Sequence, residues 1–177
     1  ICTSRSFGEM LGKLEQIQAP ITTFAARCAE KLRSGRLVAG TVMVFLYSNR
    51  FRPELPQVAL HRVVALPYAS NDTRVIVAAA LGALRSIYRS GYQYKKAGVI
   101  VGDISTMARR PVNLFAHAPD ALDDNLMAAI DAINKRFGKN TVRLTAELVD
   151  QKWQPAHHKR SPNYTTDIDD IIEIWCK

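Results

Sequence analysis

The chain has 177 residues, of which 47% are hydrophobic, and it carries a net charge of +8. This length suits one domain with at most an appendage, and the apolar content excludes wholesale disorder. The longest apolar run, residues 75–84, is too short to span a bilayer. Three widely spaced cysteines, an odd number, argue against a disulfide framework and against a zinc site, so we expect a reducing, cytoplasmic setting.

The first strand and helix are predicted from alternation and then from helical spacing. The opening "CTSRSFG" alternates and predicts a short strand, and residues 10–20 predict a connector. The next segment, "ITTFAARCAEKLRSG" (21–35), predicts an amphipathic helix because its apolar residues recur every three or four positions. Thr22 or Thr23 is expected to cap its start, and Ser34-Gly35 to end it.

Three more strands and one helix are predicted downstream. Residues 37–47 and 58–66 are rich in β-branched and aromatic side chains, and they predict a hairpin with a long, proline-containing loop. Residues 71–73 are expected to begin a second helix, which Ser90-Gly91 ends. Residues 92–104 predict the last strand.

This order of elements predicts an α+β fold. A two-layer sandwich accommodates the order strand, helix, strand, strand, helix, strand, because both helices can pack on one face of a four-stranded sheet. The other face is then open. Strand alternation puts Thr41, Met43, His61 and Lys96 on that open face, and a one-residue error in alternation would exchange His61 for Arg62.

The chain changes character after its first 108 residues. We expect a domain over residues 1–108, a linker over 109–121, and a small helical or irregular C-terminal extension over 122–177. Within the extension, "DALDDNLMAAIDAINKRFG" predicts a helix that Gly138 ends, and residues 141–149 predict a short strand.

The charge is distributed unevenly. Residues 1–110 contain 16 Lys and Arg against 6 Asp and Glu, a net of +10, whereas residues 111–177 contain 8 against 10, a net of −2. A basic module of this kind is typical of proteins that bind a polyanion.

Catalytic motifs are not found. The sequence has no glycine-rich phosphate loop, no His-Glu-x-x-His and no Gly-x-Ser-x-Gly. Its only adjacent acidic pairs, Asp123-Asp124 and Asp169-Asp170, point in different directions on a helix or strand, so they do not predict a two-metal site. We therefore expect no enzymatic activity and no cofactor.

Several basic and hydroxyl residues match the chemistry of phosphate contacts. Lys95-Lys96 begins the last strand, and Arg5 lies between Ser4 and Ser6 in the first strand. Arginine and serine side chains commonly donate to phosphate oxygens. No Asn or Gln pair indicates adenine recognition, and no aromatic pair indicates an RNA-stacking sheet, so the pattern favours duplex backbone contacts.

Four segments together resemble one family. "SRSFGE", "AARCAEKLR", "YQYKKAGVIVGDI" and "LMAAIDAINKRFGKNTVRL" are similar to the UmuC-like branch of the Y-family translesion DNA polymerases. The resemblance implies a little finger domain, which holds the primer–template duplex, followed by that branch's C-terminal extension. It also implies that the catalytic core, with its carboxylates and Mg²⁺, lies outside this segment, and that the parent protein acts in SOS damage tolerance.

The resemblance implies both DNA contacts and a partner peptide. Arg50 and Arg52 are added to the DNA contacts from charge and loop position only. The segment "PVNLF" stands where the family often carries a sliding-clamp-binding peptide, with Leu114 and Phe115 as apolar anchors and Pro111 in place of the usual glutamine. The expected DNA contacts are Ser4, Arg5, Ser6, Arg50, Arg52, His61, Arg62, Lys95 and Lys96.

Three alternatives remain open. The chain could be a protein-interaction module for the sliding clamp, a recombinase filament or an accessory subunit. It could be a ferredoxin-like RNA-binding domain, which would require Phe45 or Tyr47 to face outward from the sheet. A stand-alone enzyme is the least favoured.

Overall fold

The structure, a computed structural model, describes residues 1–110, 121–145 and 153–154. A short 3-10 turn, Met107–Arg109, follows the last strand. The strands and helices, in chain order, are β1 (Cys2–Leu11), α1 (Leu14–Ser34), β2 (Leu37–Ser48), β3 (Ala59–Ser70), α2 (Thr73–Ile87), β4 (Tyr94–Thr106) and α3 (Ala121–Phe137).

The four strands form one antiparallel sheet in the order β1-β4-β2-β3. Helices α1 and α2 pack side by side on one face, which we call the helix-covered face. The other face is the open face, where Tyr47 and Val63 are exposed by 38% and 56%. The predicted α+β sandwich is therefore confirmed.

The core lies between the sheet and the two helices. On β2 the residues Val42, Val44 and Leu46 are fully buried, and period-two alternation sends all three to the helix-covered face. From α1, Ile17, Ile21, Phe24, Cys28 and Leu32 are buried at helical spacing against them.

Helix α1 begins earlier than the sequence predicts. Residues 10–20 are not a connector, because β1 continues to Leu11 and the helix runs from Leu14 straight through Pro20. The apolar period already starts at Ile17, and burial of that turn offsets the missing N–H of the proline. Thr22 and Thr23 do not cap the helix.

Both threonines instead bond backwards within α1. Their hydroxyls donate to the carbonyls of Gln18 and Ala19, at 2.9 and 3.1 Å. The predicted end of this helix is confirmed, since the N–H of Gly35 donates to the carbonyls of Lys31 and Leu32.

The β3–α2 connection follows the prediction at its start and departs from it at its end. Asp72 caps α2, its Oδ1 accepting from the N–H of Arg74 at 2.7 Å. The helix stops at Ile87, three residues before the predicted Ser90-Gly91, and the N–H of Tyr88 still donates to Leu84. Strand β3 extends to Ser70, four residues past its predicted end, by bulging between its Ala65 and Ser70 pairings.

The described part of the C-terminal extension packs on the helix layer. Met127 of α3 is buried, and Asp131 of α3 forms a bidentate ion pair with Arg33 of α1, at 2.6 and 2.8 Å. Trp153 is 3% exposed and meets the rings of Phe7 and Phe24 edge-on.

The predicted helix and its end at Gly138 are confirmed, whereas residues 141–145 are not the start of a strand. Gly138 has a φ of +108°, which suits glycine at a helix end. The N–H and C=O of Val142 bond the side-chain amide of Asn134, at 2.8 and 3.1 Å, so these backbone groups are used by a neighbouring helix.

Candidate nucleic-acid interface

The pairing register decides which side chains share the open face. Residues directly opposite each other in an antiparallel sheet point to the same side. Because Val44 and Val99 are buried against the helices, the residues one position away on each strand face outward. The sequence analysis placed Thr41, Met43, His61 and Lys96 on this face, and the pairings put them there.

One row across the open face contains a serine, a glycine, a phenylalanine and a histidine. Ser4 pairs with Gly98, Gly98 with Phe45, and Phe45 with His61. A Cβ at residue 98 would lie 2.5 Å from the Cβ of Ser4 and would also collide with the ring of Phe45. The phenylalanine therefore lies flat over the glycine, and Ser4 and His61 remain exposed at the two ends of the row.

The neighbouring row contains a hydroxyl, an ammonium group and a phenol. Ser6 pairs with Lys96, Lys96 with Tyr47, and Tyr47 with Ala59. All four residues are exposed. Strands lie about 4.8 Å apart, so these groups are one strand spacing from each other.

Phe45 and Tyr47 form a stacked aromatic pair on this face. Their ring centroids are 4.9 Å apart, with 30° between the planes. Phe45 is 6% exposed and Tyr47 38%, so the tyrosine presents most of the pair's accessible surface. The sequence indicated no aromatic pair for RNA stacking, and an outward Phe45 or Tyr47 was the condition for the RNA-binding alternative. The pairings put both residues on the open face, so that condition is met.

Two of the sequence-predicted DNA contacts, Arg5 and Arg62, do not lie on the open face. Arg5 follows Thr3, whose hydroxyl meets Cys28 and Lys31 of α1, so both point to the helix side. Arg62 pairs with the buried Val44 and also points to the helix side.

Another sequence-predicted DNA contact, Lys95, lies at a bulge. Tyr47 pairs with Lys96 and Ser48 with Tyr94, so Lys95 has no pairing partner on β2. Its ammonium group donates to the carbonyl of Gly8, at 3.1 Å. Of the basic pair, Lys96 is the residue that strand pairing places on the open face.

The two arginines of the β2–β3 loop lie just beyond Tyr47. Arg50 sits 5.0 Å above the centroid of Phe51, and Arg52 is 3.7 Å from Glu54 in an exposed ion pair. The amide of Gln57 donates to three carbonyls of this loop, which holds its backbone at the end of the sheet.

The shifted pKa values belong to the helix side. Burial raises the pKa of the Cys28 thiol, which keeps it neutral, and burial also raises the pKa of Tyr94. Burial of Asp72 works in the opposite direction from its hydrogen bonds with Arg74, and the latter prevail, so the pKa of Asp72 is lowered. These shifts reflect core packing and helix capping.

Among the described residues, no three His, Cys, Asp or Glu side chains lie close enough together to hold a metal ion. In the same residues no helix is both long and apolar enough to cross a membrane. Leu114 and Phe115 lie outside the residues that the structure describes.

Comparison with known families assigns the two parts of the chain. Residues 1–114 match the impB/mucB/samB family C-terminal domain, and residues 124–174 match a domain of unknown function, DUF4113. Among solved structures, a complex of the beta-clamp processivity factor and the little finger domain of PolIV is similar to 65% of this chain and covers 97% of its own, at 16% identity and a TM-score of 0.43. That likeness is too distant to carry a functional argument.

Relatives align over nearly the whole chain. Protein UmuC of Salmonella typhimurium is 33% identical over 175 residues, which is 98% of this chain and 42% of UmuC. Protein MucB of Escherichia coli is 38% identical over 168 residues, 94% of this chain and 39% of MucB. The chain thus spans about two fifths of the length of the curated relatives it matches. It belongs to the impB/mucB/samB family of UmuC-like Y-family proteins and contains that family's C-terminal domain.

Proposed function

We propose that this chain is a non-catalytic DNA-binding module of an error-prone translesion DNA polymerase that acts in the SOS response to DNA damage. Its open face holds the sugar–phosphate backbone of the primer–template duplex. Binding through phosphates, with few base contacts, tolerates a damaged base because the contacted groups are the same at every position.

One observation carries this proposal. The open face brings Ser4, Ser6, His61 and Lys96 from three strands into two adjacent rows. Hydroxyl and ammonium groups are common donors to phosphate oxygens. Residues 1–110, which contain the sheet, have a net charge of +10, and this charge attracts a polyanion at long range.

The two faces provide a matched test. We would measure fluorescence anisotropy with a labelled primer–template duplex over a range of salt, for the wild type, Lys96→Ala and Arg62→Ala. Both variants lose one exposed positive charge, from opposite faces of the sheet. Lys96→Ala is expected to weaken binding and to reduce the salt slope by about one unit, whereas Arg62→Ala leaves the slope unchanged.

Equal effects of the two variants would contradict the proposal, because they would report net charge alone. A salt-insensitive complex with the sliding clamp, a recombinase filament or an accessory subunit, together with no DNA binding at low salt, would favour the protein-interaction function. Clamp binding through Leu114 and Phe115 stays a prediction.

A further inference from the structure

Backbone contacts do not account for the stacked rings of Phe45 and Tyr47. A phosphate oxygen accepts from hydroxyl and ammonium donors, so it can use the Tyr47 hydroxyl but gains nothing from the two aromatic faces. The pair nevertheless occupies the second strand of the open face, between His61 on one side and Lys96 on the other.

The local packing holds this pair in one place. Gly98 leaves the space in which the Phe45 ring lies flat on the sheet, and Tyr47 stacks on that ring. A ring that is fixed on one side and exposed on the other loses little conformational entropy when a flat ligand stacks on it. Nucleic-acid bases are such ligands, and stacking on aromatic side chains occurs with every base.

The neighbours of Tyr47 fit the rest of a nucleotide. Lys96 lies directly opposite Tyr47 on β4, and Ser6 directly opposite Lys96 on β1. With strands about 4.8 Å apart, a base on the tyrosine ring would bring its own phosphate near the lysine ammonium group. The row therefore presents an aromatic ring for the base at Tyr47, and then the Lys96 ammonium group and the Ser6 hydroxyl for the backbone next to that base.

We propose that Tyr47, supported by Phe45, is a base-stacking site on the open face that binds an unpaired base of the DNA. In a continuous duplex both faces of each base are covered by its neighbours, so the ring has nothing to stack on. An unpaired base has accessible faces, as in the template strand beyond the primer end. The inference rests on the proposed function, because the DNA backbone brings the base to this face.

The test compares DNA forms and tyrosine variants. We would measure anisotropy for a labelled single strand of about 12 nucleotides, for the blunt duplex of the same sequence, and for the matching RNA strand. The proteins are the full chain as wild type, Tyr47→Ala, Tyr47→Phe and Phe137→Ala. Phe137 is a matched control because its ring is 66% exposed at the end of α3, on the helix side.

The expected result separates stacking from charge. Tyr47→Ala should weaken single-strand binding at least about 5-fold without changing the salt slope, and leave duplex binding within about 2-fold. Tyr47→Phe keeps the ring and should bind like the wild type, as should Phe137→Ala. Circular dichroism of each variant checks that its fold is intact.

Three outcomes would overturn the inference. If Tyr47→Ala binds the single strand as well as the wild type does, while salt-dependent duplex binding persists, the stacking site is wrong and the backbone function stands. If no DNA binds at low salt, the proposed function fails first and the stacking site fails with it. If the RNA strand binds more tightly than the DNA strand, the site recognises the 2′-hydroxyl and the assignment to DNA is wrong.

Discussion

The two faces of the sheet differ in what their side chains do. On the helix-covered face, the alternate residues of the two central strands β2 and β4 are buried, mostly aliphatic side chains that α1 and α2 cover. On the open face, the alternate residues are small, hydroxylated, basic, aliphatic or aromatic, and several are exposed. The first set of side chains forms the hydrophobic core, whereas the second remains accessible, although both belong to the same four strands.

The described residues of the C-terminal extension lie on the helix side of the sheet. Met127 and Trp153 are buried there, and Asp131 forms an ion pair with Arg33 of α1. Arg33 also donates to the carbonyl of Asn71 and the hydroxyl of Thr73, so one guanidinium joins α1, α2 and α3. These described residues of the extension therefore pack on the helix side of the sheet.

The largest expected effect is at Trp153. Trp153→Ala removes a buried ring that contacts Phe7 and Phe24, and we expect the free energy of unfolding to fall by about 3–5 kcal/mol. Chemical denaturation measures this loss. Leu126→Ala is the control, because that side chain is 45% exposed and its removal should leave the free energy of unfolding within about 0.5 kcal/mol of the wild type. A loss under about 1 kcal/mol would mean that the extension does not contribute to the hydrophobic core.

The next effect tests the open face. Gly98→Ala places a Cβ against Ser4 and the ring of Phe45, and we expect it to cost about 1–3 kcal/mol of stability because both neighbours must move. The matched control is Gly82→Ala in α2, where nothing lies within 4 Å of the new Cβ. That control should be more stable than the wild type by about 0.5–1 kcal/mol, since alanine favours helix. Equal effects of the two substitutions would show that Phe45 does not lie on Gly98.

The smallest effect concerns the cap of α2 and depends on pH. Asp72→Ala should lower the free energy of unfolding by about 1 kcal/mol at neutral pH, because the cap acceptor is lost. The lowered pKa of Asp72 means that its charged form stabilises the fold. This stabilisation is fully present above the unfolded pKa of about 3.9, and it is lost as the pH falls through the folded pKa.

Denaturation at several pH values between about 2 and 7 checks this point. The difference in the free energy of unfolding between wild type and Asp72→Ala should be constant in the upper part of that pH range and shrink toward its lower end. Asp72→Asn is the control, because asparagine keeps the cap acceptor without a titrating charge. A difference that grows as pH falls would contradict the assigned direction of the pKa shift.

Sequence patterns predicted the elements better than their ends. The alternation of β2 and the capping residues around Asp72 are local signals, so the strand and the start of α2 could be read directly. The start of α1 could not, because Pro20 is locally a helix breaker, whereas in the fold Ile17 of that first turn is buried in the core and the N–H of Lys13 donates to the Gln16 side chain. The end of α2 at Ile87 likewise depended on tertiary context.

The candidate site shows the same division. Alternation along β2, β3 and β4 was enough to place Met43, His61 and Lys96 on one face, because the side-chain period of a strand is a local property. It could not say that Lys95 lies at a bulge, since a bulge depends on the pairing of two strands.

The sequence alone determined the family, the order of strands and helices, and the basic character of the first 110 residues, because motifs, periodicity and charge are properties of the chain. Only the tertiary structure decided which residues become neighbours. The strand order brings three residues that are far apart in sequence, Ser6, Lys96 and Tyr47, into one row. The Phe45 ring can lie flat on the sheet because the residue opposite it on β4 is a glycine. Such neighbours are set by register between strands, and no single strand encodes that register.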